Sequence, residues 1–288
     1  MAIRSSSWLS KHRMAVAVSA IAGGMLLLGA VAQAGDTLKK IRDTGKVTVG
    51  TEAAFPPFEF VKDGKIVGYG KDILDYVIAD LKVEMTQLDV PFQGIMPGLL
   101  AGKFDFVATT MQIRADRAKK VAFTMPIAEG GSTLLRRKGD TRINGANDLA
   151  GKVVASQLGT SSERVLRALD AELKAKGQGF KELKLFTSMP EGYLALANGQ
   201  IDAVASLLPS LSVLLKERPG VYEIVGPLRE EKTWLAWMAR ADDTELRDYL
   251  SLKIKELRDS GKLYEFQDKW FGFRMEVPDS GFIPAGGI

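Results

Sequence analysis

Apolar residues recur along this chain with two periods, and the periods alternate. Val47–Gly50 reads as a short buried strand, and Leu74, Val77, Ile78 and Leu81 mark one face of a helix over about Lys71–Leu81. A strand near Met85–Leu88 follows, then a helix over about Phe92–Ala101 that stops at Gly102. Phe104, Phe106 and Ala108 then alternate with Asp105, Val107 and Thr109 as a largely buried strand would. The second half repeats the scheme: a strand Lys152–Ser156, a helix through Val165, Leu166, Leu169 and Leu173, a strand Leu183–Phe186 and a short helix from Pro190. Ile201–Ser206, a helix over Pro209–Lys216 and a strand Tyr222–Val225 complete it. Such alternation predicts an α/β fold with mainly parallel sheets flanked by helices. Leu100-Ala-Gly-Lys-Phe-Asp-Phe-Val-Ala108 and Ala197-Asn-Gly-Gln-Ile-Asp-Ala-Val-Ala205 share a helix end, a glycine and a strand opening, which predicts two similarly built lobes. Asp63-Gly64 suggests a hairpin turn, and Pro56 and Pro57 suggest a stiff extended loop that holds Phe55 at a strand end.

With 288 residues and 46% apolar content, the chain can bury substantial cores. Residues 1–34 carry Arg4, Lys11 and Arg13 without an acid, then the apolar run Met14–Val31 and the small-x-small ending Ala32-Gln-Ala34. This is the pattern of a signal peptide cleaved after Ala34; a membrane anchor is the competing reading, against which Gly23, Gly24 and the Ala-x-Ala ending weigh. Cleavage would leave 36 basic against 35 acidic residues, so the net charge would fall from +4 to +1. Neither that balance nor any aromatic-interleaved basic cluster suggests a nucleic-acid partner. There is no cysteine, and the one histidine, His12, lies in the leader. A mature chain without either has no thiol nucleophile, imidazole base or soft metal ligand, which weighs against catalysis. The missing cysteine also argues against a lipid anchor.

The stretch Val107-Ala-Thr-Thr-Met-Gln-Ile-Arg-Ala-Asp-Arg117 joins a buried strand to hydroxyls and then to a fixed positive charge. Ligands of open α/β sheets sit at strand ends, and a guanidinium fits a carboxylate in bidentate fashion. The alternative is a surface arginine among Arg114, Lys119 and Lys120. Gly159-Thr-Ser-Ser-Glu163 has the sequence of a loop opening a helix, with amides and hydroxyls suited to an anion; capping alone would also explain Thr160 and Ser161.

Val47-Thr-Val-Gly-Thr-Glu-Ala-Ala-Phe-Pro-Pro-Phe-Glu-Phe60, Val67-Gly-Tyr-Gly-Lys-Asp-Ile73, Gly94-Ile-Met-Pro-Gly-Leu-Leu-Ala-Gly-Lys-Phe-Asp105, Arg117 and Gly261-Lys-Leu-Tyr-Glu-Phe-Gln-Asp-Lys-Trp-Phe-Gly272 together resemble the periplasmic solute-binding proteins of polar amino-acid ABC importers, solute-binding family 3. The resemblance implies a two-lobed type II periplasmic binding protein with two hinge crossovers, here near Leu135–Lys138 and Gly226–Thr233. The expected division is 35–136 with 232–273 as the first lobe, 137–231 as the second and 274–288 as a peripheral tail. It further implies a monomer, free in the periplasm and without a cofactor. That monomer would close on a small carboxylate-bearing solute, an amino acid or a derivative, and deliver it to an inner-membrane permease.

By the same resemblance Arg117 pairs with the ligand carboxylate and Thr109, Thr110 and Gln112 complete its shell. Phe55 covers the ligand, Phe92 forms a wall, and Glu52 reads side-chain polarity or is merely solvated. Gln157, Thr160 and Ser161 close from the second lobe. Three positions depart from the pattern: Gln112 replaces a small hydroxyl residue, Arg114 a threonine, and Leu207 the aspartate that holds a ligand ammonium. Leu207 keeps open an N-substituted amino acid, an opine-like conjugate or another small carboxylate. The alternative function is a periplasmic enzyme similar to cyclohexadienyl dehydratase on the same fold; a soluble partner of a separate receptor is a third.

Overall fold

Both halves fold as alternating strands and helices. In a computed structural model, which describes residues 35–229 and 232–284, the first stretch runs α1 (Thr37–Thr44), β1 (Lys46–Thr51), β2 (Ala54–Phe55), β3 (Glu59–Lys62), β4 (Lys65–Val67), α2 (Tyr69–Leu81), β5 (Glu84–Asp89), α3 (Phe92–Leu100), β6 (Phe106–Gln112), α4 (Ala115–Ala118), β7 (Val121–Phe123) and β8 (Ala128–Gly130). It continues through β9 (Ser132–Arg137), a 3-10 turn at Ala146–Leu149, β10 (Val153–Gln157), α5 (Ser161–Lys174), β11 (Glu182–Phe186), α6 (Met189–Ala197), β12 (Ala203–Leu207), α7 (Leu208–Glu217) and β13 (Tyr222–Pro227). The chain then returns through β14 (Thr233–Arg240), α8 (Thr244–Asp259) and α9 (Lys262–Trp270). The leader and its cleavage after Ala34 lie outside the described residues. No described helix is long and apolar enough to cross a membrane.

Two sheets organise the molecule into two lobes. The first has the order β5-β1-β6-β14-β7, with β8 also on β14; the second has β11-β10-β12-β9-β13. In each, the N-terminal strand lies parallel between two neighbours, β1 between β5 and β6, and β10 between β11 and β12. A strand arriving from the other half of the chain then adds antiparallel, β14 on β6 and β9 on β12. β6 is buried along almost its whole length, as a strand covered on both faces must be. Ile73, Leu74 and Val77, on one face of α2, are fully buried.

The repeated sequence motif is a repeated structural joint. α3 ends at Leu100 and α6 at Ala197, and Gly102 and Gly199 each take the left-handed conformation that turns the chain into β6 or β12. Asp105 Oδ2 accepts from the Thr48 amide of β1 at 2.9 Å, and Asp202 Oδ2 accepts from the Val153 amide of β10 at the same distance. Both aspartates thus satisfy the first free donor of a neighbouring parallel strand.

Three expectations need correction. The chain changes sheet between Gly130 and Ser132, ahead of the crossing expected at Leu135–Lys138, because Leu134 and Leu135 are already buried strand residues paired with Ala205 and Val204. The second change falls between Pro227 and Thr233, where residues 230 and 231 lie outside the described set. Pro56 and Pro57 make a tight turn rather than an extended loop: Phe58 N donates to Phe55 O at 2.9 Å, Phe55 pairs with Glu59, and the rings of Phe55 and Phe58 stack at 5.4 Å. The tail is not peripheral up to Ile283. Met275 and Val277 are buried, Gln267 bonds both the amide and the carbonyl of Met275, and Phe282 and Ile283 pack against the core around Phe92 and Trp234.

Candidate ligand-binding site

The ends of β1 and β6, with α3 and α4, form one wall of a cavity between the two sheets. α4 carries Arg117, whose side chain turns inward and is only 5% exposed, which excludes the surface-arginine reading. Its Nη1 donates to Gln112 O at 3.1 Å and its Nη2 reaches across to Gly159 O at 2.9 Å. The Phe92 ring lies 5.9 Å from the guanidinium carbon, a cation–π distance. Burial, then the neighbouring Arg114 charge, pulls the pKa down to about 9, so the group is still protonated at neutral pH.

Glu52 follows β1 directly and is 2% exposed, so it is not the solvated carboxylate that the sequence left open. Its Oε1 accepts from Gln157 Nε2 of the other lobe, and Gln157 Nε2 also donates to Thr187 O at 3.1 Å. Burial lifts the Glu52 carboxyl to about 7, against the hydrogen bond from Gln157, with Asp89 adding to the rise. A neutral or shared proton at that position is therefore accessible near neutral pH.

The opposite wall is built on β10, β12 and the start of α5. Thr160 caps α5: its Oγ1 accepts from Glu163 N at 3.2 Å, while Glu163 Oε2 accepts from Gly159 N at 2.6 Å. This capping leaves the amides of Ser161 and Ser162, at the first two helical positions, without intrahelical acceptors. Gly159 has φ +83°, and a Cβ there would lie at ordinary contact distance, 3.5 Å, from the Gln93 Cα of the other lobe. Glycine is the residue that meets this turn without strain.

The cavity is a compact recess lined from both sheets rather than an extended groove. Glu52, Phe55, Phe92, Thr110, Gln112 and Arg117 line it from the first lobe; Gln157, Thr160 and Ser161 line it from the second. Thr109 does not: its hydroxyl turns behind the wall and donates to Glu59 Oε2 at 3.1 Å. Arg114 lies off the cavity, where it grips Asp116 through Nε and Nη2 and donates to Ser161 Oγ at 3.2 Å.

Sequence reasoning missed several residues here. Ser156, Ser162, Met189, Ala205, Ser206 and Leu235 also line the cavity, as does Leu207. The repeated x-Asp-x-Val-Ala motif pointed to the end of β12, and so to Ser206, but nothing local marks Leu235 on β14. Glu59 was missed as well, although it underlies the site. It is fully buried, its Oε2 accepts from Thr109 and from Thr110 at 3.3 Å, and its Oε1 has no partner. Burial pushes its carboxyl up to about 8, against the threonine hydrogen bonds. The absence of a side chain at Gly70 makes room for it, since a Cβ there would lie 1.8 Å from Glu59 Oε1. Among the described residues no cluster of His, Cys, Asp or Glu is suited to holding a metal ion.

The family model for bacterial extracellular solute-binding proteins, family 3, matches residues 47–273. The chain belongs to that family. It is 30% identical to the L-arginine-binding protein of Pseudomonas aeruginosa over 256 residues, covering 86% of this chain and 96% of the relative. Among solved structures, an ancestral arginine-binding protein bound to arginine superposes with a TM-score of 0.72 at 32% identity, over 79% of this chain and 99% of that one. The ancestral amino acid-binding protein AncCDT-1, a precursor of cyclohexadienyl dehydratase, does so with a TM-score of 0.72 at 29% identity, over 82% and 99%. The two-lobed type II fold is thereby shown, and family 3 membership favours the solute-binding reading over the dehydratase alternative.

Proposed function

We propose that this protein is the periplasmic substrate-binding component of an ABC importer. As a monomer it captures one small carboxylate-bearing solute, an amino acid or a derivative, between its lobes and presents it to an inner-membrane permease. The observation that carries this reading is the buried Arg117 guanidinium facing the mouth of α5 across the cavity. A carboxylate there would meet a charged, planar donor from one lobe and helix-terminal amides from the other. Binding that engages both lobes stabilises their closed arrangement, which is the state a permease can recognise. We take the lobes as 35–130 with 232–273, and 132–229, with the change of sheet at Gly131 in support.

The test is a thermal-shift and calorimetric screen of amino acids, their derivatives and small dicarboxylates. At least one carboxylate is expected to raise the melting temperature, and Arg117→Ala to remove that shift. A screen in which no carboxylate binds would end the proposal. The enzymatic reading has one observation in its favour, a buried Glu52 carboxyl with a pKa near 7, suited to proton transfer. Turnover of prephenate or arogenate by the purified protein would establish it instead.

A further inference from the structure

Each hydroxyl that lines the cavity has a single proton to donate, and the direction of its hydrogen bond says what it can offer a ligand. Ser156 donates to Ala205 O at 3.1 Å, Thr160 to Gln157 O at 2.7 Å and Thr110 to Glu59 Oε2 at 3.3 Å. Those three are left with lone pairs only.

Ser206 is placed differently. It is the one polar side chain of β12, it is 3% exposed, and it lines the cavity. Its Oγ lies 2.9 Å from the hydroxyl of Tyr193, on the helix α6 that packs against the same strand. Neither hydroxyl has another hydrogen-bond partner among the described residues. Two hydroxyls bring two protons to one bond, so one proton is left over. Were Ser206 the donor, the proton left over would belong to Tyr193, which is buried in the core and does not line the cavity. A buried donor without an acceptor is costly. With Tyr193 donating, the proton left over belongs to Ser206, and the cavity in front of it has room for an acceptor. Tyr222 of β13 donates to Tyr193 O at 2.8 Å and so holds this turn of α6 in place.

Resting on the reading that the cavity holds a carboxylate-bearing solute, we propose that Ser206 donates a hydrogen bond to a ligand oxygen and that Tyr193 is the positioning residue which commits it to that direction. The ligand then presents an oxygen acceptor at the end of β12. Because this donor stands on the second lobe, the bond adds to the hold of the closed state on the ligand.

Titration calorimetry at pH 7 tests this with L-arginine, L-glutamine, L-glutamate and succinate, and with any carboxylate that raises the melting temperature in the screen above. For the compounds that bind, Ser206→Ala is expected to weaken affinity about tenfold or more. That variant also leaves the Tyr193 hydroxyl without an acceptor, so its fold is under strain. Tyr193→Phe combined with Ser206→Ala removes both hydroxyls, leaves no orphaned donor and should show the same tenfold loss with a cooperative melt. Tyr193→Phe alone should weaken binding about threefold, and should weaken it no further once Ser206 is alanine. An equal loss from Tyr193→Phe in both backgrounds would reduce Tyr193 to a packing role and overturn its part in the proposal. Affinity unchanged in the double variant, while Arg117→Ala abolishes binding, overturns the whole inference and leaves the carboxylate site standing. Binding by none of these compounds overturns both.

Discussion

The two walls of the cleft solve the same problem with different chemistry. The first-lobe wall carries the ionisable groups, Arg117 and Glu52 at the surface of the cavity and Glu59 behind it, all almost fully buried. The second-lobe wall presents to the cavity the hydroxyls of Ser156, Thr160, Ser161, Ser162 and Ser206, the Gln157 amide and apolar side chains. Buried charges hold strong preferences about what they face, because desolvation has already raised the energy of each one left unpaired. Neutral donors at a helix end are less demanding and tolerate reorganisation as the lobes move. The first wall should therefore decide which charge pattern is accepted, and the second how firmly the closed state is held.

The sharpest way to break that contrast is Arg117→Ala. A charge-assisted bidentate pair inside a closed cleft is worth about 3 kcal/mol or more, so affinity should fall at least about 100-fold. Circular dichroism should stay native, since Arg117 bonds only two backbone carbonyls. Arg117→Lys should recover part of the loss, because it restores the charge but not the planar fork. Unchanged affinity in the alanine variant, measured by calorimetry, would show that the first wall does not set the charge preference.

That such a contrast was legible in part follows from where its signals lie. Thr110 and Gln112 close the strand marked in the sequence by Phe104, Phe106 and Ala108, and Arg117 comes five residues after its end, so their location could be read locally. The capped start of α5 was equally local, because a hydroxyl residue three positions before Glu163 is a capping signature. Glu59 was not legible: it opens the short middle strand β3 of a small sheet, and only the close approach of Gly70 and two threonines from β6 places it under the site. Leu235 likewise reaches the cavity through β14, which arrives from more than a hundred residues downstream of β6. The first crossing was placed by resemblance a few residues too far along, because periodicity carries no mark of which sheet a strand joins.

A second-wall test with a smaller effect is Gly159→Val. The left-handed backbone there disfavours a β-branched residue by roughly 1–2 kcal/mol, while the nearest atoms leave room for a Cβ. Binding should weaken by about tenfold, chiefly through a faster off-rate, as the loop shifts away from the first lobe. An equal loss of global stability and of affinity would indicate a folding defect rather than impaired closure.

The walls should also differ in their response to pH. Glu52 and Glu59 have folded-state pKa values raised to about 7 and about 8, above the usual 4.5 of a glutamate. The unfolded chain then binds fewer protons than the folded one between about pH 4.5 and 8, so stability falls as pH rises through that window. The loss is up to about 1.4 kcal/mol per pH unit for each group. Thermal melts at pH 5, 6, 7 and 8 should show the decline, and Glu59→Gln should flatten it, most clearly above pH 7. A melting temperature that rises across this range in the wild type would contradict the raised carboxyls.

The smallest effect is expected at the rim, where the lobes meet through exposed charges. Arg164 of α5 reaches Asp116 of α4 at 3.2 Å, but the two side chains are 65% and 52% exposed. Pairs so solvated are worth less than about 1 kcal/mol and are screened further by salt. Asp116 also keeps its bidentate contact with Arg114, which holds its carboxyl well below the usual range, so losing Arg164 leaves no orphaned charge. Arg164→Ala should accordingly change ligand affinity by less than about fivefold at low ionic strength, and by nothing measurable at 0.5 M salt. A loss comparable to that of Arg117→Ala would mean that closure is governed by surface ion pairs instead of by the buried guanidinium.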